Sequence, residues 1–209
     1  MSGNLFIIAA ASGTGKTTLV RALCRSLPNL RVSMSCTTRS MRPGERDGVD
    51  YNFIDDATFD RMVADKKFLE HETVFGNRYG TPRAWVEEQL RAGTDIILEI
   101  DWKGARSVRA MLPDCIGIFL LPPSFAALEQ RLCNRAQDDA STIQRRMRAA
   151  LEELSHYREF DYLVINDDVA AALAELLEII ESCRRGRRMA APERREFAER
   201  LMTEGGKLK

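Results

Sequence analysis

Histidine is nearly missing from this chain: His71 and His156 are the only two in 209 residues. Little material is left for a zinc site or for an imidazole-based triad. Cysteine is present but unpatterned. Cys24, Cys36, Cys115, Cys133 and Cys183 are odd in number and never spaced C-x-x-C, which argues against a disulfide framework and against thiolate metal ligation. Reduced thiols in a cytoplasmic protein are the expectation. Net charge is lacking as well, with 31 basic residues against 31 acidic ones, so no overall field favours a nucleic acid or a membrane surface as partner. No apolar stretch nears the roughly 20 residues of a membrane helix. Met1 leads directly into a short apolar run and a glycine-rich turn, unlike a secretory signal. The charge balance hides one asymmetry: Arg184 to Lys209 holds nine Lys or Arg and four Glu, which leaves the body net negative.

What remains is ordinary globular composition, 44% hydrophobic and 30% charged, at a length suited to one domain or one core with insertions. The patterning alternates strand and helix. Leu5–Ala10 is an apolar run of strand length, and Thr17–Leu27 places Leu19, Val20, Leu23 and Leu27 at helical spacing. Asp95–Asp101 (DIILEID), Ile116–Leu121 and Tyr162–Ile165 read as further buried strands. Helices are expected over Phe125–Leu132, from about Ser141 to Tyr157, and from a cap at Asp167 or Asp168 to about Cys183. This order predicts an α/β fold, a parallel sheet flanked by helices. Ser35 to about Ala92, rich in charge and turn residues, reads as an inserted small domain. The arginine-rich stretch Arg131–Arg146 reads as a flap.

Directly after the first strand and before the first helix stands A-A-S-G-T-G-K-T, Ala10 to Thr17. It meets the phosphate-loop pattern G-x-x-x-x-G-K-[ST] except that Ala10 replaces the first glycine, where only a small side chain is needed. The physical demands explain the residue types. Gly13 and Gly15 let backbone N–H groups turn inward around a phosphate, and the helix beginning near Lys16 adds its dipole. Lys16 is placed to reach the β and γ phosphates of ATP, and the Thr17 hydroxyl to ligate Mg²⁺. Ala11, Ser12 and Thr14 complete the ATP-binding loop.

The acceptor has to be read elsewhere. The inserted stretch carries S-C-T-T-R-S-M-R-P-G-E (Ser35–Glu45), Asp50-Tyr51, F-L-E-H-E (Phe68–Glu72) and G-N-R-Y-G-T (Gly76–Thr81). In this combination the chain resembles guanylate kinases, and the resemblance continues through L-E-I-D-W-K-G-A (Leu98–Ala105), L-P-P-S (Leu121–Ser124) and S-H-Y…D-Y…N-D-D (Ser155–Asp168). It implies the fold of a P-loop nucleoside monophosphate kinase with an inserted monophosphate-binding subdomain and a lid. The implied reaction moves the γ-phosphoryl group of ATP to GMP or dGMP, giving ADP and GDP, in purine nucleotide metabolism and GMP recycling. The implied GMP site comprises Ser35, Arg39, Arg42, Tyr51, Glu70, Tyr79, Thr81 and Glu99.

Residue chemistry agrees. Arg39 and Arg42 offer forked donors to a phosphate, with phenol donors from Tyr51 and Tyr79. A carboxylate at Glu70 suits the N1–H and 2-amino donors of guanine, while adenine, with an acceptor at N1, would leave it unpaired. Ser35 and Thr81 serve the remaining edge groups, although Thr81 is also a helix-cap candidate before Pro82.

Asp101 stands at a strand end, where an acid orders Mg²⁺ and its waters or simply caps the next helix. Glu99, two residues earlier, lies on the same strand face and serves either the metal waters or the guanine edge. By resemblance, Arg135 and Arg146 close onto the phosphates with the flap, and Arg39 also belongs to the charge-neutralising set with Lys16. Ala136 and Asp139-Ala140-Ser141 depart from the usual flap wording. Asn166 is expected to contact the adenine of ATP. His71 is expected beside Glu70, and His156 on the flap's return helix, neither in the chemistry.

The implied layout is a kinase domain over 3–183, with core segments 3–34, 93–130 and 147–183, a GMP-binding insertion 35–92 and a lid 131–146. A basic tail, 184–209, follows. Its stretch Pro192–Met202 is amphipathic and open to core packing, a subunit contact or disorder. Monomer and homo-oligomer both stay open. Two rivals remain at this point: a peptide-binding scaffold of the same fold, against which the intact Gly13, Gly15, Lys16 and Thr17 argue, and a P-loop kinase for another nucleotide or a phosphorylated sugar, against which Glu70 with Ser35 argues.

Overall fold

The computed structural model describes residues 2–74, 76–133, 140–187 and 192–206. In chain order the strands are β1 (Leu5–Ala10), β2 (Leu30–Val32), β3 (Cys36–Thr37), β4 (Asn52–Phe53), β5 (Phe68–Val74), β6 (Asn77–Pro82), β7 (Asp95–Glu99), β8 (Ile116–Leu121) and β9 (Tyr162–Ile165). The helices are α1 (Lys16–Ser26), α2 (Asp56–Ala64), α3 (Arg83–Arg91), α4 (Trp102–Met111), α5 (Phe125–Cys133), α6 (Ala140–Ser155), α7 (Val169–Arg184) and α8 (Pro192–Gly206). A 3₁₀ turn, His156–Glu159, follows α6.

The apolar runs become central strands because strand side chains alternate between two faces and both faces here are covered. Leu5, Ile7 and Ala9 of β1 enter one apolar cluster while Phe6 and Ile8 enter the other. β8 divides likewise, Phe119 and Leu121 from Ile116, Ile118 and Leu120. The resulting sheet is parallel throughout, in the order β2-β7-β1-β8-β9. Helices α1 and α7 cover one face through Leu19, Val20, Leu23, Leu176 and Ile180. The other face receives Val86 of α3, Ala105 and Val108 of α4, Leu128 and Leu132 of α5, and Ala150 and Leu154 of α6.

The tail joins this second face. Ala198 and Leu201 of α8 are buried in the cluster, with Phe197 and Met202 packed against it. Arg194 of α8 donates two hydrogen bonds to the Glu175 carboxylate of α7, 3.2 and 3.0 Å. Burying one leucine of this kind stabilises by about 1.5–3 kcal/mol. Of the three fates open to the amphipathic stretch, core packing is the one observed.

The inserted stretch forms its own four-stranded sheet, β4-β3-β6-β5, with β3 and β4 parallel and the other pairs antiparallel. Cys36, Phe59 and Phe68 make a small separate core beneath it. Short strands suffice there because α2 closes that core, its N-terminus capped by Asp55, which accepts from the Thr58 N–H.

Candidate active site

Between β1 and α1 the backbone turns on Gly13 and Gly15, whose φ angles of 89° and 97° fall in the left-handed region. Gly15 occupies the N-cap of α1 with no side-chain cap, and the first turn of α1 carries no acidic residue. The leading N–H groups of α1 are therefore left for an anion. Space is also a constraint: a Cβ on Gly15 would lie 2.6 Å from Asn166 Nδ2.

The loop rests on a polar brace. Asn166 is buried just after β9 and donates from Nδ2 to the Thr14 carbonyl at 2.6 Å. Arg131, at the end of α5, donates to the same carbonyl at 3.3 Å and to the Asn166 carbonyl at 3.0 Å. Asn166, expected at the adenine, thus has its amide against the loop's inner side. The bracing role of Arg131 was not legible in the sequence, since a helical arginine beside a flap carries no local signal of what it meets.

Lys16 donates from Nζ to the Ile100 carbonyl at 3.3 Å. Thr17 Oγ1 donates to Glu99 Oε1 at 2.6 Å. These contacts fall on Glu99, the last residue of β7, and on Ile100 just beyond it, so the end of a central strand meets the phosphate loop. Asp101 accepts from the Gly104 N–H at 2.8 Å, capping α4. Its charge is also felt at Glu70, where it helps to raise the carboxyl pKa. Glu99 thus stands beside the Thr17 hydroxyl, while the charge of Asp101 is felt both at Glu70 and at Glu153 beside the phosphate loop. Strand alternation predicts a shared face; their hydrogen bonds differ because Glu99 is the last residue of β7 and Asp101 the cap of α4.

On the acceptor side, antiparallel pairing of β5 with β6 sets Glu70 opposite Thr81 and Glu72 opposite Tyr79. The buried Thr81 hydroxyl donates to Glu70 Oε1 at 2.5 Å. Burial is the main cause pushing the Glu70 carboxyl up to about 7, with Thr81 opposing the rise and Asp101 and Glu72 adding to it. Arg39 forms an ion pair with Glu45 at 2.8 Å and stands over the rings of Tyr51 and Phe53, 5.5 and 5.7 Å from their centroids. Glu45 also accepts from the Arg42 N–H at 2.8 Å, while the Arg42 side chain is exposed. The Arg39 partner holds Glu45 below the ordinary carboxylate range. Tyr51 and Tyr79 meet edge to face at 6.0 Å, and burial raises the Tyr51 phenol. Ser35 sits partly buried, its carbonyl accepting from Asn52 N–H at 3.0 Å.

Gly104 completes this side for a steric reason. Its backbone is not left-handed, yet a Cβ there would lie 2.9 Å from Glu70 Oε2. Glycine in a helix ordinarily costs about 1 kcal/mol relative to alanine, so here the cost leaves room for the carboxylate. Gly104→Ala should leave the melting temperature unchanged or higher, since Glu70 is a flexible side chain that yields. The KM for GMP should rise about tenfold with the KM for ATP unaltered. Steady-state kinetics beside a thermal melt check both halves.

Of the lid arginines, Arg146 is partly buried on α6 and Arg145 is exposed; Arg135 lies outside the described residues, as do Ala136 and Asp139. His71 is exposed, its ring edge-on to Phe59 at 6.3 Å and tilted to Phe68 at 6.2 Å. His156 stacks on Trp102 at 3.5 Å, after the return helix.

A phosphate loop on the central strand of a parallel sheet, with an inserted sheet presenting a buried carboxylate and two phenols in edge-to-face contact, defines a P-loop nucleoside monophosphate kinase. Comparison with known proteins narrows the class. The profile of the guanylate kinase family matches residues 2–183, and the chain belongs to that family. A guanylate kinase of Alcanivorax borkumensis is 56% identical over 182 residues, covering 87% of this chain and 88% of the relative. One from Coxiella burnetii is 52% identical over 179 residues, covering 86% and 87%. The crystal structure of guanylate kinase from Anaplasma phagocytophilum superposes with a TM-score of 0.73 at 30% identity, covering 91% of this chain and 88% of that one.

Proposed function

We propose that this guanylate kinase holds ATP on Ala10–Thr17 and GMP on the inserted sheet, and that the Glu99–Asp101 segment sets the two nucleotides against each other. The observation that carries this reading is the double engagement of that segment: Thr17 and Lys16 bond to it, and Asp101 at its end accepts from the Gly104 N–H, at the residue that faces the Glu70 carboxylate. A GMP phosphate oxygen attacks the γ-phosphorus as the bond to the β–γ bridging oxygen breaks, giving ADP and GDP. The nucleophile is already anionic, so no strong base is required; in-line positioning and charge neutralisation do the chemistry.

Gly13, Gly15 and the start of α1 bind the ATP phosphates, and Lys16 follows the transferring group. Asn166 serves the ATP site by holding Thr14 in place. Arg39, Arg42, Tyr51 and Tyr79 receive the GMP phosphate, and Glu70, Thr81 and Ser35 read the guanine edge. Arg146 and Arg135 neutralise developing charge. The donors suit Mg²⁺: the Thr17 hydroxyl gives its hydrogen to Glu99 and keeps its oxygen lone pairs for a hard cation. Among the described residues no group of three or more His, Cys, Asp or Glu would hold a metal unaided, so the phosphates would complete the ligand set. Thr17 and Glu99 would hold Mg²⁺, Asp101 more distantly through water, and the ion when bound would neutralise the β and γ oxygens.

A coupled assay with ATP and Mg²⁺ should give turnover with GMP at least about a hundredfold above AMP, CMP or UMP in kcat/KM. Equal rates with AMP would sink the guanine assignment.

A further inference from the structure

Helix α6 carries a carboxylate that none of the roles above uses. Glu153 is half-buried and accepts from the Ser12 N–H of the phosphate loop through Oε2 at 2.8 Å. Burial raises its pKa, while the Ser12 N–H and the charge of Lys16 oppose the rise. Desolvating a carboxylate is unfavourable unless specific partners compensate. Nor is α6 held to the core by this group: Ala150 and Leu154, both fully buried, already do that. With docking strength supplied by those apolar residues, a directional polar contact is suited to fixing where the helix sits.

Helical geometry shows what that position controls. Arg146 precedes Glu153 by seven residues, which at about 100° per residue falls about 20° short of two turns. The two side chains therefore share one face of α6, two turns apart. Glu153 meets the loop at Ser12, on the stretch leading to Gly13 and Gly15, and its charge reaches Lys16. The same helix face thus joins the phosphate loop at one point and bears a lid arginine further along.

We propose that Glu153 is a positioning residue for phosphoryl transfer: its carboxylate seats α6 on the phosphate loop at Ser12, and so sets the reach of Arg146 toward the transferring group. The inference rests on the assignment of Arg146 made above. It touches neither GMP nor guanine selectivity, so its signature is a loss of kcat without a loss of acceptor binding.

Glu153→Ala should lower kcat about 10–100-fold, the scale of a misplaced catalytic group. The KM for GMP should stay within about threefold, and the melting temperature should stay within about 4 °C of the parent's. Glu153→Gln keeps a carbonyl acceptor for the Ser12 N–H and should recover most of the lost rate. The double variant E153A/R146A should be within about threefold of R146A alone, because the two residues act through one geometry. Four results would overturn the proposal: kcat of E153A within twofold of the parent, a glutamine variant as poor as alanine, losses that multiply in the double variant when R146A itself is impaired, or a fall in the KM for ATP. The last would identify Glu153 as an anion competing with the ATP phosphates for the loop. Should R146A alone keep full activity, the arginine assignment fails, and the kcat and rescue of the Glu153 variants still decide whether the seating of α6 matters.

Discussion

Lys16→Ala should lower kcat by about 10²–10⁴-fold while leaving the fold and GMP binding nearly intact. A preorganised cation at the transferring phosphoryl group acts where charge spreads over the equatorial oxygens, and removing one such donor costs that order of rate. The local structure explains why stability should survive. Among the described residues Lys16 Nζ has one hydrogen bond, a long one of 3.3 Å to the Ile100 carbonyl. Among the described residues no carboxylate loses a hydrogen bond when the ammonium goes; Glu153 loses the nearby charge but keeps the Ser12 N–H, so the loss is of the order of one ordinary hydrogen bond, about 1 kcal/mol. The loop itself is shaped by Gly13, Gly15 and the Asn166–Arg131 brace rather than by Lys16. The KM for ATP should rise and that for GMP should stay within about threefold, because the acceptor site is built on the other sheet. Circular dichroism and a thermal melt beside the kinetics separate chemistry from folding. Activity within tenfold of the parent would refute the role of Lys16.

How much of this was readable beforehand depends on how many residues a feature needs. β1, β8 and β9 were legible to the residue because each is an apolar run buried on both faces and bounded by turn chemistry. β2, only Leu30–Val32, escaped: three residues after Pro28-Asn29 are too few for a period, and their strand state comes from pairing with β7. β5 carries Glu70, His71 and Glu72 in succession, a polar run that propensity does not assign to a sheet. The phosphate loop was legible because its residues are contiguous and its glycines have one physical explanation. Glu153, Gly104 and Arg131 were not, since each matters for what it meets 141, 34 or 117 residues away in the chain. Glu99 and Asp101 show the intermediate case: strand alternation announced a shared face, and only the packed α1 and α4 give Glu99 the Thr17 hydroxyl and Asp101 the Gly104 N–H.

Glu70→Gln should separate stability from recognition, lowering kcat/KM for GMP by about 10²–10³-fold while making the protein more stable at alkaline pH. Glu70 is 7% exposed, and burial pushes its carboxyl up to about 7 from the ordinary 4.5. The folded pKa is thus above the unfolded one, so the neutral form is favoured by the fold. The group's contribution is fully present below about pH 4.5 and is lost progressively as pH rises through 7. At about 1.4 kcal/mol for each pH unit, the loss by pH 8 is of order 3 kcal/mol. Glutamine keeps the Oε1 that accepts from Thr81 and never ionises. Its advantage in thermal melts should therefore grow from pH 5 to pH 8, reaching about 1–3 kcal/mol. Recognition moves the opposite way. On the proposed reading, guanine N1–H and its 2-amino group donate to the anion, and two charge-assisted hydrogen bonds replaced by one weaker contact account for the predicted loss. The same logic fixes the pH dependence of the parent enzyme. Below about 7 the empty site holds a protonated Glu70, so the KM for GMP should climb toward tenfold per pH unit on falling pH and level off above 7. The second ionisation of a phosphate monoester, near 6, adds its own slope, which the glutamine variant retains; the difference between the two profiles isolates Glu70. Identical profiles, or a glutamine variant with undiminished preference for GMP over AMP, would remove this carboxylate from the guanine site.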